Sequence, residues 1–285
     1  MIPAVAFYAV AASVTMHVAW NLAARRADPR CFFLWWALLS YLVLVGPWSL
    51  VALIRDTQWS YRIAGLLLLT AAAETLYFVG LTIAYRRAPV PLVYPIVRSS
   101  PLLIALCMTL FFGERLPPLA WAGIVVSVAG VLVLSSTARG GEPARAVPWA
   151  LGAALGTTIY SISNKFAVDS LPGYAALLGW ITVALALAWI GLTFQHRWLT
   201  GRFLPPTRPR LALAILAGIF IGNAYGLIIH AMRYMPAAYA VAFTNAGIVL
   251  AGIIAMTVHG ERERWRTRLA AMLAITGGLA MIALR

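Results

Sequence analysis

The sequence predicts an all-α integral membrane protein of ten transmembrane helices in two inverted five-helix repeats. Three observations predict it. Of 285 residues, 62% are hydrophobic and only 11% charged, where a soluble domain carries about a quarter charged. Ten apolar segments are long enough to cross a ~30 Å hydrocarbon core. The two halves of the chain also repeat each other in register.

The segments run 4–24, 31–54, 63–85, 90–112, 118–136, 148–168, 174–194, 211–232, 236–258 and 268–284. The first has no basic stretch before it and is long enough to span. It reads as a helix and not as a cleaved signal. Short basic turns punctuate the rest: "RRADPR" after the first, "RDTQWSYR" after the second and "GERERWRTR" after the ninth. The fourth carries Arg98 between Pro95 and Pro101, and each proline removes a backbone donor. The fifth follows Gly113 and Pro117–Pro118, ordinary stop and start signals. Glu114 and Glu261 are expected to support the helix N-termini that follow them. Small-residue stripes, Gly152 and Gly156 in the sixth and Gly218, Gly222 and Gly226 in the eighth, allow close helix approach. The connections leave no room for a soluble domain, and barrel-type alternation is absent. Trp35, Trp36, Trp48, Trp59, Trp149 and Trp198 lie near helix ends and read as interfacial anchors.

The repeat is numerical. Adding 147 takes Ala84, Arg86, Pro89, Leu103, Gly113, Glu114, Arg115, Gly130 and Leu132 to Ala231, Arg233, Pro236, Leu250, Gly260, Glu261, Arg262, Gly277 and Leu279. An offset of 143 takes Ala11, Thr15, Asn21, Ala24 and Pro29 to Ala154, Thr158, Asn164, Ala167 and Pro172. The domain reading is therefore 1–138 for the first repeat, 139–147 for a linker and 148–285 for the second. Five helices are an odd number, so the second repeat enters the membrane inverted. That arrangement places a substrate site between the halves near the midplane.

The net charge of +14 lies in the short loops. It belongs to lipid head groups and topology, and no nucleic-acid partner is expected. Cys31 and Cys107 have no metal spacing and read as packing residues. No cofactor or metal is expected. No catalytic motif points to an enzyme.

The stretch "LFFGERLPPLAWAGIVVSVAGVLVL" (110–134), with the 5+5 plan, resembles the drug/metabolite transporter superfamily, EamA-like branch. "HVAWN" (17–21) and "YPIVRSSP" (94–101) resemble a subgroup associated with phosphonate utilisation. The resemblance implies a secondary carrier of small metabolites or drugs, often outward, with both termini inside. The arginine count points the other way. Loops after helices 1, 3, 5, 7 and 9 hold fifteen arginines, and the opposite side holds five. The positive-inside rule puts the fifteen in the cytoplasm and both termini outside.

Polar residues inside the spans mark the candidate site, since an ionisable side chain in a membrane segment is functional by default. Glu74 is the carboxylate far from any predicted helix end and is the expected proton-coupling residue. Arg98, with Tyr94 one turn before it, offers a planar fork to an acid group. A fixed ion pair between Glu74 and Arg98 is the structural alternative. His17 and Asn21, with Trp20 adjacent, share a face of helix 1, and Tyr160 and Asn164 answer them in the repeat. Tyr77, Asn223 and Asn245 complete the expected substrate-binding set. Lys165 reads as snorkelling to the interface, and His230 as packing.

The function expected is proton-coupled secondary transport of a small polar metabolite of amino acid, amine or aminophosphonate type. The partners are that solute, protons and the bilayer of a bacterial inner membrane. The oligomeric state stays open, a monomer included. Efflux of cationic amphipathic drugs is the alternative, and a lipid-modifying enzyme is a remote one.

Overall fold

The computed structural model describes residues 2–25, 31–135, 143–257 and 264–285. Among them are thirteen α-helices, a 3-10 turn at Val168–Ser170 and no strand. The helices are α1 (Ala4–Arg25), α2 (Phe33–Leu44), α3 (Gly46–Asp56), α4 (Tyr61–Arg87), α5 (Val90–Val97), α6 (Ser100–Phe112) and α7 (Pro118–Ser135). They continue as α8 (Pro143–Ala167), α9 (Tyr174–Thr200), α10 (Leu211–Ala231), α11 (Ala237–Phe243), α12 (Ala246–Thr257) and α13 (Trp265–Ala283).

Local chemistry sets the ends. The Ser60 hydroxyl caps α4 by accepting from the Ile63 N–H at 3.2 Å, which satisfies one orphan donor. Gly113 closes α6 at φ +68. The Glu114 N–H then reaches back to the Met108 carbonyl, a left-handed stop that glycine adopts without a Cβ penalty. The Glu114 backbone thus completes the stop of α6. Its Oε2 is buried without a hydrogen-bond partner. Glu261 lies outside the described residues.

Three of the expected spans are broken. α2 and α3 meet at a 58° bend, where Pro47 in the first turn of α3 has no N–H to carry the ladder across. Between α5 and α6 the missing donor is Pro101. The chain turns at Arg98 and Ser99, whose N–H groups reach Tyr94 and Ile96. The break between α11 and α12 has no proline. There Thr244 and Asn245 make tight turns back to Val241 and Ala242. The Thr244 hydroxyl also donates to the Val241 carbonyl at 2.6 Å, competing with the helical ladder.

Seven of these spans are long and apolar enough to cross a membrane, or eight if α2 and α3 count as one. Two expected spans, α7 and α8, fall outside that number. The apolar part of α7, Pro118–Leu134, is short. α8 turns Thr157, Thr158, Ser161, Ser163 and Asn164 inward, all buried. Large apolar side chains such as Ile54, Leu110, Phe111, Leu211 and Leu273 are exposed. Exposed large apolar side chains in these numbers suit lipid contact.

The helices pack in a definite order. α4 lies along α8 and α9, α10 along α1 and α2, and α7 along α13. At Gly156 a Cβ would stand 2.7 Å from the Ala73 carbonyl, so glycine is what lets α8 approach α4 one residue before Glu74. Gly218 and Gly222 admit Ala37 and the Tyr41 ring in the same way, whereas Gly152 meets nothing closer than 3.9 Å. Cys31 is buried, Cys107 is partly buried, and neither forms a disulfide.

The tryptophans divide. Trp48, Trp59 and Trp198 are exposed near helix ends. Trp35 is not an anchor: it is buried, and its indole donates to Thr193 at 2.8 Å. Lys165 is partly buried at the end of α8. Its ammonium donates to the Met232 carbonyl at 2.5 Å and so holds the end of α10.

Candidate substrate cavity

A cavity lies where α1, α4, α8, α10 and two of the helix breaks meet. α1 contributes His17 and Trp20; α4 contributes Glu74, Tyr77 and Phe78. Thr157, Tyr160, Ser161 and Asn164 come from α8, and Ile221, Tyr225, Ile228 and Ile229 from α10. The breaks supply Val97, Arg98, Ser100, Val241 and Thr244. Its volume of about 70 Å³ compares with the ~10–15 Å³ that one water needs on the same measure. It has room for several waters or a small solute.

One wall is cationic. The break places Arg98 on the cavity, where its Nη1 donates to the Thr244 hydroxyl at 2.7 Å. The Tyr94 ring lies 4.8 Å from the guanidinium carbon, a cation–π contact. Arginine has five N–H donors, and no other protein acceptor for them is found among the described residues. Ser161 is fully buried on the same cavity, with its hydroxyl unpartnered.

The lining also carries an acid. Glu74 is 2% exposed, and its Oε2 accepts from the Tyr225 hydroxyl at 2.7 Å. Behind Tyr225 stands Asn164, whose Nδ2 donates to that hydroxyl at 3.5 Å. The Asn164 carbonyl oxygen accepts from the Trp180 indole at 2.9 Å and from the Thr70 hydroxyl at 3.2 Å. Among the described residues neither Glu74 nor Arg98 has an oppositely charged side chain at ion-pair distance. The fixed Glu74–Arg98 pair is absent. Tyr77 and Tyr160 stand within electrostatic reach of both charges. Ring contacts run from Tyr77 to Tyr160 at 6.0 Å and on to Tyr225 at 5.1 Å.

The remaining expected residues separate. His17 lines the cavity, and the Trp20 indole donates to its Nδ1 at 3.2 Å, so a neutral His17 carries its proton on Nε2. Asn21 does not face the cavity: its amide bonds the His17 carbonyl on its own helix. Asn223 is also off the wall, donating to Ile219 and accepting from Tyr174. Asn245 is 1% exposed, and neither polar atom of its side chain has a partner. His230 packs between Tyr174 and Tyr234.

Tyr225, Thr244 and Ser161 were not among the expected site residues. A signal for Tyr225 was present. Phe78 plus 147 is Tyr225, and Phe78 follows Tyr77 directly.

The EamA-like transporter family model matches residues 2–136 and 144–283. The chain belongs to the EamA-like transporter family. It is a multi-pass membrane transporter of the drug/metabolite type. Among the solved structures that match, a crystal structure has TM-score 0.73 at 22% identity, over 98% of this chain and 96% of the other. At that identity the likeness shows the EamA-like chain's fold alone. No curated protein matches it.

Proposed function

We propose that this transporter carries a small zwitterion of amino acid or aminophosphonate type across the bacterial inner membrane, in exchange for protons. One observation carries the reading. Arg98 and Glu74 line the same small cavity, and no ion pair joins them. Two opposite charges left unpaired in a membrane interior need external partners. A substrate acid group takes the open donors of Arg98 and the N-terminus of α6, which begins two residues later. The substrate ammonium takes Glu74, and the tyrosines close the wall beside it.

Alternating access follows from ten spans in two inverted repeats. The family match supports this by falling into two stretches, 2–136 and 144–283. Packing supports it too, because contacts between halves come in swapped pairs. α4 lies on α8 as α10 lies on α1, and α4 lies on α9 as α10 lies on α2.

The test is transport current from proteoliposomes on a solid-supported membrane, challenged with pooled amino acids and aminophosphonates across a pH gradient. Gradient-dependent current that Glu74→Gln removes is the expected result. Response to cationic dyes but to no zwitterion would replace this reading with drug efflux, which the aromatic wall beside Glu74 favours and Arg98 opposes.

A further inference from the structure

We infer that Tyr225 is a positioning residue that reserves one oxygen of Glu74, so that proton and substrate ammonium must compete for the other. The inference rests on the reading of Glu74 given above and deepens it. Oε2 is held by the Tyr225 hydroxyl at 2.7 Å. Oε1 has no hydrogen-bond partner among the described residues and is not a sealed atom, and Glu74 lines the cavity. The free oxygen is therefore the one that meets cavity contents.

The network behind Tyr225 has a fixed polarity. Trp180 donates and cannot accept, so its bond at 2.9 Å makes the oxygen of Asn164 the acceptor. The amide nitrogen is then the end that donates to Tyr225, and the Tyr225 proton, whose one acceptor among the described residues is Glu74 Oε2, goes onward to that oxygen. A proton could pass along this chain only through the imidic-acid form of Asn164, starting from an indole N–H that does not ionise. The chain is a clamp and not a wire. Tyr77, Tyr160, His17 and Arg98 are the other titratable groups on the cavity wall. None of them is hydrogen-bonded to Glu74 among the described residues. Exchange then runs at one atom: the Oε1–H bond breaks, the proton leaves to cavity water, and the ammonium hydrogen-bonds to the same oxygen.

The experiment uses full-length protein in proteoliposomes with a trapped pH dye and a radiolabelled mixture of the twenty standard amino acids. It reads protons moved per amino acid. Wild type is expected near one for one. Tyr225→Phe frees Oε2 to keep a proton while the ammonium sits on Oε1, so its ratio is expected to fall at least twofold. Asn164→Leu breaks the chain but leaves Tyr225 on Glu74, so its ratio should stay at the wild-type value whatever its rate. An unchanged ratio in Tyr225→Phe overturns the clamp. A lost ratio in Asn164→Leu overturns it in favour of a wire, with the Glu74 reading intact. If wild type moves amino acids without protons, the Glu74 reading itself fails. Should Tyr225→Phe not fold, carbodiimide labelling of wild-type Glu74 decides. Full protection by the amino-acid mixture supports competition at one oxygen, and partial protection refutes it.

Discussion

The two halves of the chain place different chemistry at matched positions. Adding 147 takes Glu74 to Ile221, Arg98 to Asn245, Phe78 to Tyr225 and Val97 to Thr244. The first half owns both charges. The second half owns the two hydroxyls that hold them, Tyr225 on Glu74 and Thr244 on Arg98. Neither half could build the cavity alone. The difference teaches that matched positions do not carry matched roles: Ile221 and Thr244 reach the cavity as Glu74 and Val97 do, Asn245 does not as Arg98 does, and the lining is asymmetric.

The largest break in this comparison is removal of the first half's cation. Arg98→Ala should raise KM for a zwitterion about 100-fold, since a hydrogen bond to a charged group is worth up to ~3 kcal/mol. Arg98→Lys should restore the charge but not the fork, leaving a deficit of about 10-fold. Equal uptake by all three proteins in a concentration series would remove Arg98 from substrate binding.

Next comes the contact that brings the halves together. Gly156→Val puts a side chain against the Ala73 carbonyl and should destabilise by about 2 kcal/mol, within the usual overpacking range. A melting curve in detergent should fall by several degrees. An unchanged curve would mean that α4 and α8 do not lie this close.

A smaller effect probes the second half's hold on the first. Thr244→Val deletes the hydroxyl 2.7 Å from Arg98. Loss of one such bond to a charged group is worth about 1.5 kcal/mol at the low end, so KM should rise about tenfold with turnover nearly kept. A change in turnover with KM unaltered would place Thr244 in the conformational cycle instead.

The smallest effect has the opposite sign. Asn245 buries an amide with no partner, and an unsatisfied buried polar group is unfavourable by about 1–3 kcal/mol. Asn245→Leu should raise the melting temperature by a few degrees. A lower melting temperature would assign the amide a partner, such as an internal water.

Much of the architecture was legible in the chain. Apolar runs, the charge deficit, Gly113 as a helix stop and the break before Pro101 follow from local rules, because solvent and backbone geometry act residue by residue, although Pro95 sits inside an unbroken α5. The singular residues were legible too, since Glu74 and Arg98 stand out in apolar sequence. What they touch was not. The indole of Trp35 looks like an anchor by position but is spent on Thr193 in the core. Asn21 and Asn223 look like lining by periodicity, yet both turn their amides onto their own helices.

The sequence by itself determined the helical membrane class, the family and the two charges inside the spans. Only the tertiary structure decided that those charges share a cavity without pairing, and that Tyr225 and Thr244 hold them. The reason is physical. Helix formation in an apolar solvent is settled by each segment's own backbone and side chains. A hydrogen bond between residues 151 apart, such as Tyr225 to Glu74, depends on how whole helices approach and rotate. That is settled by packing at sites such as Gly156, far from either partner in the chain.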